Sequence, residues 1–210
     1  MRKQAGYFVQ DVKRMLGRHS IRLVHIWISR VFWGVLLYRM ERGFFQLTGS
    51  AYPYLRVPLI PLFNLLQAYS NLDIHYKADI KGGLIVLHPS VGVVVSGMSV
   101  IGKNLTLTGG NIIGAKAGCS AGDIVLGDDC TLGANAVIIG PVHLANGIQI
   151  GASACVTRSF KNNHITLAGV PAKELHHQDR TASGTSLQNR GYHVVGRSKT
   201  NNYTAQGIKK

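Results

Sequence analysis

The sequence predicts a mainly β protein, a parallel β-helix preceded by an α-helical region, and two observations in its second half carry this prediction. An aliphatic residue recurs every six positions, and glycine follows it at five of them. A fixed short period is the signature of a solenoid. Three six-residue segments can close one triangular coil, with the aliphatic residue inward and glycine at a tight corner. The aliphatic positions are Ile101, Leu107, Ile113, Leu126, Leu132, Ile138, Leu144, Ile150 and Val156.

Composition and charge agree with a coil that has basic ends. Glycine accounts for 25 of 210 residues and charged residues for only 15%, which suits many corners and few solvated helices. The formal net charge is +14, and much of it lies in the N-terminal segment and after Lys173. The chain has no recognised nucleic-acid motif and no platform of aromatic and basic residues, so we expect no nucleic-acid partner. Basic ends beside apolar helices suit an anionic membrane surface or an anionic substrate.

Residues 1–72 are predicted to form the α-helical N-terminal region. Residues 19–48 look like one long apolar helix, because their apolar side chains fall mostly at three- and four-residue spacing. The uninterrupted apolar run from Val31 to Tyr38 is too short for a membrane span, which needs about 20 residues. Such a helix either lies on a membrane surface or packs against its neighbours in an oligomer, and the pattern leaves both open.

The segment between that helix and the coil is rich in proline. Pro53, Pro58 and Pro61 are predicted to break residues 52–72 into short helical or turn pieces. These pieces carry a second apolar cluster. We expect the coil to begin near Asp73.

The cysteines and the tail add two expectations. Cys119, Cys130 and Cys155 contain no CxxC pair, and an odd number gives no disulfide framework, so a reducing cytosol is the natural compartment. Cys130 falls on an inward position of the coil and is predicted to be a buried small hydrophobe. The basic tail, residues 176–210, has few large apolar residues and is predicted to be flexible.

Three segments give residues 73–175 a family resemblance. Asp73–His88 opens with Asp-Ile-His and places a second histidine fifteen residues after the aspartate; Gly92–Val95 leads to Ser99–Gly102, and Ala168–Lys173 reads Ala-Gly-Val-Pro-Ala-Lys. These segments resemble the opening and closing motifs of the serine acetyltransferase branch of the hexapeptide-repeat acyltransferases. The resemblance implies a left-handed parallel β-helix acting as a homotrimer or a dimer of trimers, with acetyl-CoA bound between adjacent coils.

The resemblance also assigns two catalytic residues. His88 matches the family's catalytic histidine and Asp73 its orienting aspartate. A hydroxyl that attacks a thioester must lose its proton, and neutral histidine is suited to accept it. An aspartate on the other ring nitrogen would fix the tautomer and stabilise the imidazolium. By itself, a lone histidine in a repeat is more often structural.

The donor site follows from the closing motif and the small corner residues. Gly169 and Pro171 are expected to shape a turn over the last coil, and Lys173 to reach the phosphates of acetyl-CoA. Backbone groups at small corners would hydrogen-bond the pantetheine arm, although plain corner geometry explains the same residues. The predicted donor-binding residues are Gly133, Ala134, Gly151, Ala152, Ser153, Gly169, Pro171 and Lys173.

The acceptor is predicted from a departure in the break of the period. Serine-specific family members carry Asp-Arg-His-Pro there, and their arginine binds the serine carboxylate. Here Gly114–Asp123 contains no arginine and no histidine; Lys116 and Asp123 are its candidate substrate residues. An amino-acid acceptor needs its carboxylate paired. A hydroxyl of a sugar or surface polysaccharide, such as a capsule, exopolysaccharide or lipopolysaccharide, is therefore the expected acceptor.

The sequence thus favours an O-acetyltransferase of polysaccharide biosynthesis. Two alternatives remain: serine acetyltransferase, and a non-catalytic β-helix scaffold. We expect a cytoplasmic protein, and the sequence leaves open whether it works at the inner face of the membrane through peripheral contact of the N-terminal helices. No cluster of histidine and carboxylates suggests a metal site, so we expect acetyl-CoA as donor and no metal.

Overall fold

The computed structural model describes residues 1–17 and 26–175, in which four α-helices precede fifteen short β-strands. The helices are α1 (Arg2–Leu16), α2 (Arg30–Thr48), α3 (Tyr52–Arg56) and α4 (Ile60–Ser70). Short 3-10 turns lie at Ile26–Ile28, Gly49–Ala51, Val57–Leu59 and Pro89–Val91. The basic tail, residues 176–210, lies outside the described residues, so its flexibility stays a prediction.

The strands wind into a solenoid of about five turns. They are β1 (Leu72–Ile74), β2 (Asp79–Ile80), β3 (Ile85–Val86), β4 (Val93–Val95), β5 (Ser99–Ile101), β6 (Thr106–Leu107), β7 (Asn111–Ala115), β8 (Ile124–Leu126), β9 (Thr131–Leu132), β10 (Val137–Gly140), β11 (Val142–Leu144), β12 (Gln149–Ile150), β13 (Cys155–Val156), β14 (Thr166–Ala168) and β15 (Lys173–Glu174). Sheet A contains β1, β4, β7, β10 and β13; sheet B contains β2, β5, β8 and β11; sheet C contains β3, β6, β9, β12, β14 and β15. All pairs are parallel except β14 with β15. The predicted parallel β-helix is confirmed; its left-handed sense stays a prediction.

The aliphatic residues of the six-residue period form the core. Three of them occupy aligned positions on neighbouring strands of sheet C, and each is at most 3% exposed: Leu107, Leu132 and Ile150. Burial of one such side chain stabilises the fold by about 1.5–3 kcal/mol. Cys130 is also buried, as predicted, and burial raises the pKa of its thiol. The column of identical inward positions explains why a short repeat is sufficient to specify this fold.

The N-terminal helices cover the open end of the first coil. Val35 and Tyr38 of α2 join the same buried cluster as Leu72 and Ile74 of β1. Gly34 allows this close approach, because a Cβ there would lie 2.6 Å from Cδ1 of Leu72. The Tyr38 hydroxyl donates to the carbonyl oxygen of Ala78 at 2.9 Å. This hydrogen bond gives a partner to a backbone carbonyl at the edge of the first coil.

The single long helix predicted for residues 19–48 is wrong at residues 26–29, and residues 19–25 lie outside the described residues. The helix begins at Arg30, because Ser29 is extended (φ −69°, ψ 122°) and residues Ile26–Ile28 form a 3-10 turn. The Trp33 indole stabilises this turn by donating from Nε1 to the Trp27 carbonyl at 2.8 Å. The proline-rich segment forms short helices, as predicted. Within residues 1–17 and 26–175, no helix is long and apolar enough to cross a membrane.

Two irregular corners interrupt the regular coils. The chain takes thirteen residues from Ile113 in sheet A to Leu126 in sheet B, where the preceding coil takes six from Val95 to Ile101. We call the corner of residues 114–123 the insertion edge. The second irregularity lies at the corner between sheets C and A. The two corners flank sheet A, and they position the residues of the candidate site.

Candidate active site

His88 lies in an enlarged corner between sheets C and A. Six residues lie between the inward Val86 and Val93, whereas three lie between Leu107 and Asn111 one coil later. The extra residues form the 3-10 turn Pro89–Val91. The backbone amide of His88 donates to the Thr108 carbonyl at 2.8 Å, which fixes the corner on the next coil, and the side chain is exposed.

Two residues that the sequence did not single out hold this corner in place. Gly109 has φ +135°, and a Cβ there would lie 2.4 Å from the His88 carbonyl oxygen. The fully buried Asn111 accepts a hydrogen bond from Gly109 N at 2.9 Å and donates to the Gly133 carbonyl at 2.7 Å. Asn111 occupies an inward position where the other coils place aliphatic residues. The signal in the sequence was therefore a polar residue at the inward position four residues after Leu107, where the next coil has Ala136, directly after Gly109 and Gly110.

Asp73 lies on β1, in the same coil as the His88 corner. Its side chain points outward from sheet A and is exposed. The corner packs beside Asn71, whose Nδ2 donates to the Ser90 carbonyl at 3.4 Å. In the described part of the chain, no hydrogen bond joins the Asp73 carboxylate to the His88 ring. The roles of Asp73 and His88 therefore stay predictions.

Seven of the predicted donor-binding residues share the corner column with His88. We call this column, residues 87–92, 108–110, 133–135, 151–153 and 168–171, the His88 edge. Backbone hydrogen bonds connect its successive corners: Gly110 N to Gly92 O (2.7 Å), Asn135 N to Gly109 O (2.9 Å) and Ser153 N to Ala134 O (2.8 Å). Because the side chains at residues 133, 134 and 151–153 are small, this part of the edge presents a strip of accessible backbone on the same edge as His88.

The eighth predicted residue, Lys173, lies just beyond this strip. Gly169 has φ +92°, and its carbonyl accepts a hydrogen bond from Cys155 N at 3.0 Å. Pro171 is exposed in the same turn, and Lys173 follows on β15 with its side chain exposed. The closing motif therefore forms a turn over the last coil, with a cation at its end.

Gly133 has a structural role whatever the edge binds. A Cβ at this position would lie 2.7 Å from Ala152 N and 2.9 Å from Gly151 C, both backbone atoms of the next coil. We expect Gly133→Ala to lower the free energy of unfolding by about 1–3 kcal/mol, because the coils must separate to accept the methyl group. Urea unfolding would measure it. Ala152→Gly at the neighbouring exposed corner is the control, and an unchanged Gly133→Ala midpoint would contradict the steric account.

The predicted substrate residues lie on the opposite side of sheet A from His88. Lys116 and Asp123 belong to the insertion edge, where Asp123 Oδ2 accepts a hydrogen bond from Ser120 N at 2.6 Å. Lys116 is exposed, and its amide donates to the Gly140 carbonyl at 3.3 Å. Because sheet A separates the two edges, a single chain does not bring Lys116 or Asp123 to His88. The roles of Lys116 and Asp123 as substrate residues therefore stay predictions.

A cavity of about 470 Å³, with charged side chains set among apolar ones, borders the insertion edge. Arg42 of α2 reaches into it beside Asp79 and Ser99, and its Nη2 lies 3.4 Å from Asp79 Oδ1. Arg42 Nε, Asp79 Oδ1 and the buried Ser99 hydroxyl have no hydrogen-bond partner among the described residues. The structure thus places a guanidinium near the insertion, which itself lacks arginine. Sequence reasoning missed it because Arg42 comes from the helical region.

His75 lies at the same end of sheet A as this cavity. It stacks on Tyr76 with ring centroids 4.5 Å apart, and its Nδ1 accepts a hydrogen bond from Lys77 N at 3.1 Å. Partial burial, followed by the charges of Lys77 and Arg56, lowers the pKa of His75. His75 is therefore favoured in its neutral form, with Nε2 carrying the proton.

Comparisons with known proteins point to serine acetyltransferases. The serine acetyltransferase of Escherichia coli K12 is 32% identical over 120 residues, which cover 56% of this chain and 43% of that protein. The crystal structure of the Neisseria gonorrhoeae serine acetyltransferase in complex with serine superposes with a TM-score of 0.66 and 25% identity, covering 83% of this chain and 70% of that one. The Brucella abortus serine acetyltransferase in complex with coenzyme A shares the fold, with a TM-score of 0.64, 23% identity, and coverage of 83% and 68%.

The sequence similarity covers only part of the related proteins. The chain spans half or less of the length of the curated relatives that it matches. No family model matches it. The chain is therefore similar to serine acetyltransferases in its fold and in part of its sequence.

Proposed function

We propose that this chain is an acetyl-CoA-dependent O-acetyltransferase in which His88 is the general base. One observation carries the proposal: His88 and the strip of small corner residues share one edge of the solenoid. An exposed histidine thus stands beside accessible backbone that can receive an extended ligand. The serine acetyltransferase relatives support the same reaction.

The chemistry requires only a proton acceptor and a site for the developing negative charge. His88 accepts the proton of the acceptor hydroxyl as its oxygen attacks the thioester carbonyl. The tetrahedral oxyanion is stabilised by backbone N–H groups at the corners. Collapse breaks the carbon–sulfur bond, and the imidazolium returns its proton to the leaving thiolate. Asp73 is the proposed orienting carboxylate.

The His88 edge fits the shape of acetyl-CoA. Parallel strands are about 4.8 Å apart, so the four steps from the first coil to the last span about 19 Å. Ala134, Ala152 and Ser153 expose only small side chains along this path. An extended pantetheine arm could lie on them with its amides against the backbone, and Lys173 would meet the phosphates as a point charge. The coenzyme A complex of a protein with this fold supports the same donor.

Serine is the acceptor that the comparisons support best, since the relatives with the longest matches described above are serine acetyltransferases. Residues 114–123 contain no arginine to pair the serine carboxylate, but Arg42 supplies a cation near the insertion edge. A sugar hydroxyl is the second candidate, because this insertion lacks both the arginine and the histidine expected of serine-specific family members. Serine has a carboxylate that the site must pair, whereas a neutral sugar has none. Kinetics with the two kinds of acceptor can therefore separate them.

A thiol-release assay with acetyl-CoA decides the acceptor. We expect L-serine to give a kcat/KM at least about tenfold above that of nucleotide-activated hexoses or soluble oligosaccharides, because a paired carboxylate adds about 1.5–3 kcal/mol of binding. Serinamide, which keeps the hydroxyl but lacks the carboxylate, is the matched control and should react poorly. Turnover of a sugar acceptor but not of serine would instead support the polysaccharide function.

The separation of the two edges supports an oligomeric site. We propose a homotrimer in which the insertion edge of one chain approaches the His88 edge of a neighbour. This arrangement would bring Lys116, Asp123 and Arg42 to the reacting groups. Light scattering would determine the subunit number, and a fully active monomer would contradict it.

A further inference from the structure

The helices between α2 and the solenoid expose an unusual amount of apolar surface. Tyr54 is 80% exposed and Leu65 67%, although α3 and α4 carry them beside a folded core. We call this surface the apolar face; it comprises Tyr54, Leu55, Leu59, Leu62, Leu65 and Tyr69, each at least 43% exposed. Large contiguous apolar patches on a soluble chain mark sites of contact with a membrane or another molecule.

The apolar face carries almost no charge and continues onto α2. Residues 52–70 contain one charged side chain, Arg56, whose Nε donates to Glu41 Oε1. A groove of about 460 Å³ between α2 and the short helices is lined mainly by apolar side chains, among them Met40 and Phe44. Only Tyr52 and Ser70 are buried within residues 52–70. The segment therefore gains little by folding in this chain alone.

The surroundings of the apolar face are cationic. Residues 1–70 contain ten lysines and arginines but only two acids, Asp11 and Glu41. Both acids are buried, and each pairs with an arginine: Arg39 for Asp11 and Arg56 for Glu41. In residues 1–17 and 26–70, the exposed charges are consequently all positive.

Aromatic and cationic side chains meet at one end of the face. The Tyr69 hydroxyl donates to the Ile28 carbonyl at 3.3 Å, and the Arg30 guanidinium lies 5.7 Å from the centroid of the Tyr69 ring. Trp27, next to Ile28, is 63% exposed. Tryptophan, tyrosine and arginine beside an apolar surface are the combination favoured at the level of lipid headgroups.

We propose that the apolar face docks onto the surface of an anionic lipid bilayer, with α3 and α4 in the headgroup region. The bilayer offers apolar and negative groups together, which match the leucines and the cations around them. A second copy of the same face fits less well, because a twofold interface would bring cations towards cations with no exposed acid to pair them. The proposal concerns the helices only and does not rest on acetyl transfer.

Vesicle sedimentation tests the proposal with the full-length chain. We expect the protein to bind vesicles that contain phosphatidylglycerol more tightly than pure phosphatidylcholine vesicles, and to be released as salt is raised. Leu65→Glu should weaken binding to the anionic vesicles by about tenfold or more, since one buried leucine contributes about 1.5–3 kcal/mol.

Leu175→Glu is the matched control, because Leu175 is a 56% exposed leucine at the far end of the solenoid. It should bind like the unmodified chain, and circular dichroism should show that both variants keep their helices. Equal binding to both kinds of vesicle, or unchanged binding by Leu65→Glu, would overturn the proposal. A larger oligomer in solution that Leu65→Glu dissociates, without vesicle binding, would assign the face to a second copy and also overturn it.

Discussion

Replacing His88 with alanine is expected to lower kcat/KM for acetyl transfer by about 10²–10⁴-fold. The acceptor hydroxyl would then lose its proton only to water, while the strip of small corners and the coils remain. The substitution should not disturb the fold, because the His88 side chain is exposed and the corner is held through its backbone amide. Thiol release with acetyl-CoA and the best acceptor measures the effect.

His143→Ala is the matched control for this experiment. His143 is another exposed histidine of the solenoid, on β11 in sheet B, and we expect it to leave the rate unchanged. Circular dichroism and the subunit number should be the same in both variants. Undiminished activity in His88→Ala would remove His88 from the mechanism. If the unmodified chain transfers acetyl to no acceptor while its oligomer is intact, the scaffold alternative is favoured.

The sequence predicted the solenoid because its core repeats a local rule. Each inward position, such as Leu132 or Ile150, contacts the same position one coil away, so a six-residue period states the contacts directly. The insertion edge could also be read from the interrupted period, whereas the His88 corner precedes Ile101, the first position of that period. The period did not reveal which edge of sheet A each corner occupies, because that depends on the cumulative register of all preceding strands.

The site and the helices were harder to predict, since they depend on contacts distant in sequence. Asn111 joins Gly109 to Gly133 by hydrogen bonds, and Arg42 reaches a cavity formed by strands that follow it by dozens of residues. The period gives no information about either contact. In residues 19–72, hydropathy showed two apolar clusters. It could not show that α2 buries Val31, Val35 and Tyr38 in the solenoid core, whereas α3 and α4 leave most of their apolar side chains exposed.

Asp11→Ala is expected to lower the free energy of unfolding by about 3–5 kcal/mol. Asp11 Oδ2 lies 2.8 Å from Arg39 Nε, and the two side chains are 0% and 2% exposed. Asp11 Oδ1 also accepts hydrogen bonds from Gly83 N (2.7 Å) and Leu84 N (2.8 Å) of the first coil. The alanine would leave a buried guanidinium without its counter-charge and two buried amides without acceptors. Urea unfolding at fixed protein concentration measures the loss.

The double variant Asp11→Ala/Arg39→Met should lower the free energy of unfolding by less than the sum of the losses in the two single variants. Removing both charges leaves none buried and unpaired, so the two effects are strongly coupled. Asp73→Ala, which removes an exposed carboxylate, is the control and should change stability by less than about 0.5 kcal/mol. If the losses in free energy of unfolding were additive, Asp11 and Arg39 would act separately on the first coil.

The pKa of Asp11 explains why this pair should be judged by coupling rather than by net stabilisation. Burial raises the pKa above its ordinary value, although Arg39 and two amides act to lower it. Desolvation therefore offsets much of the attraction between the charges. The main effect of the pair is to position the helices on the solenoid. Arg39 also donates to the Lys81 carbonyl at 2.9 Å, so the two side chains join α1, α2 and the first coil at one point. Loss of either partner should release α1 from the solenoid, which hydrogen exchange in residues 2–16 would detect as faster exchange.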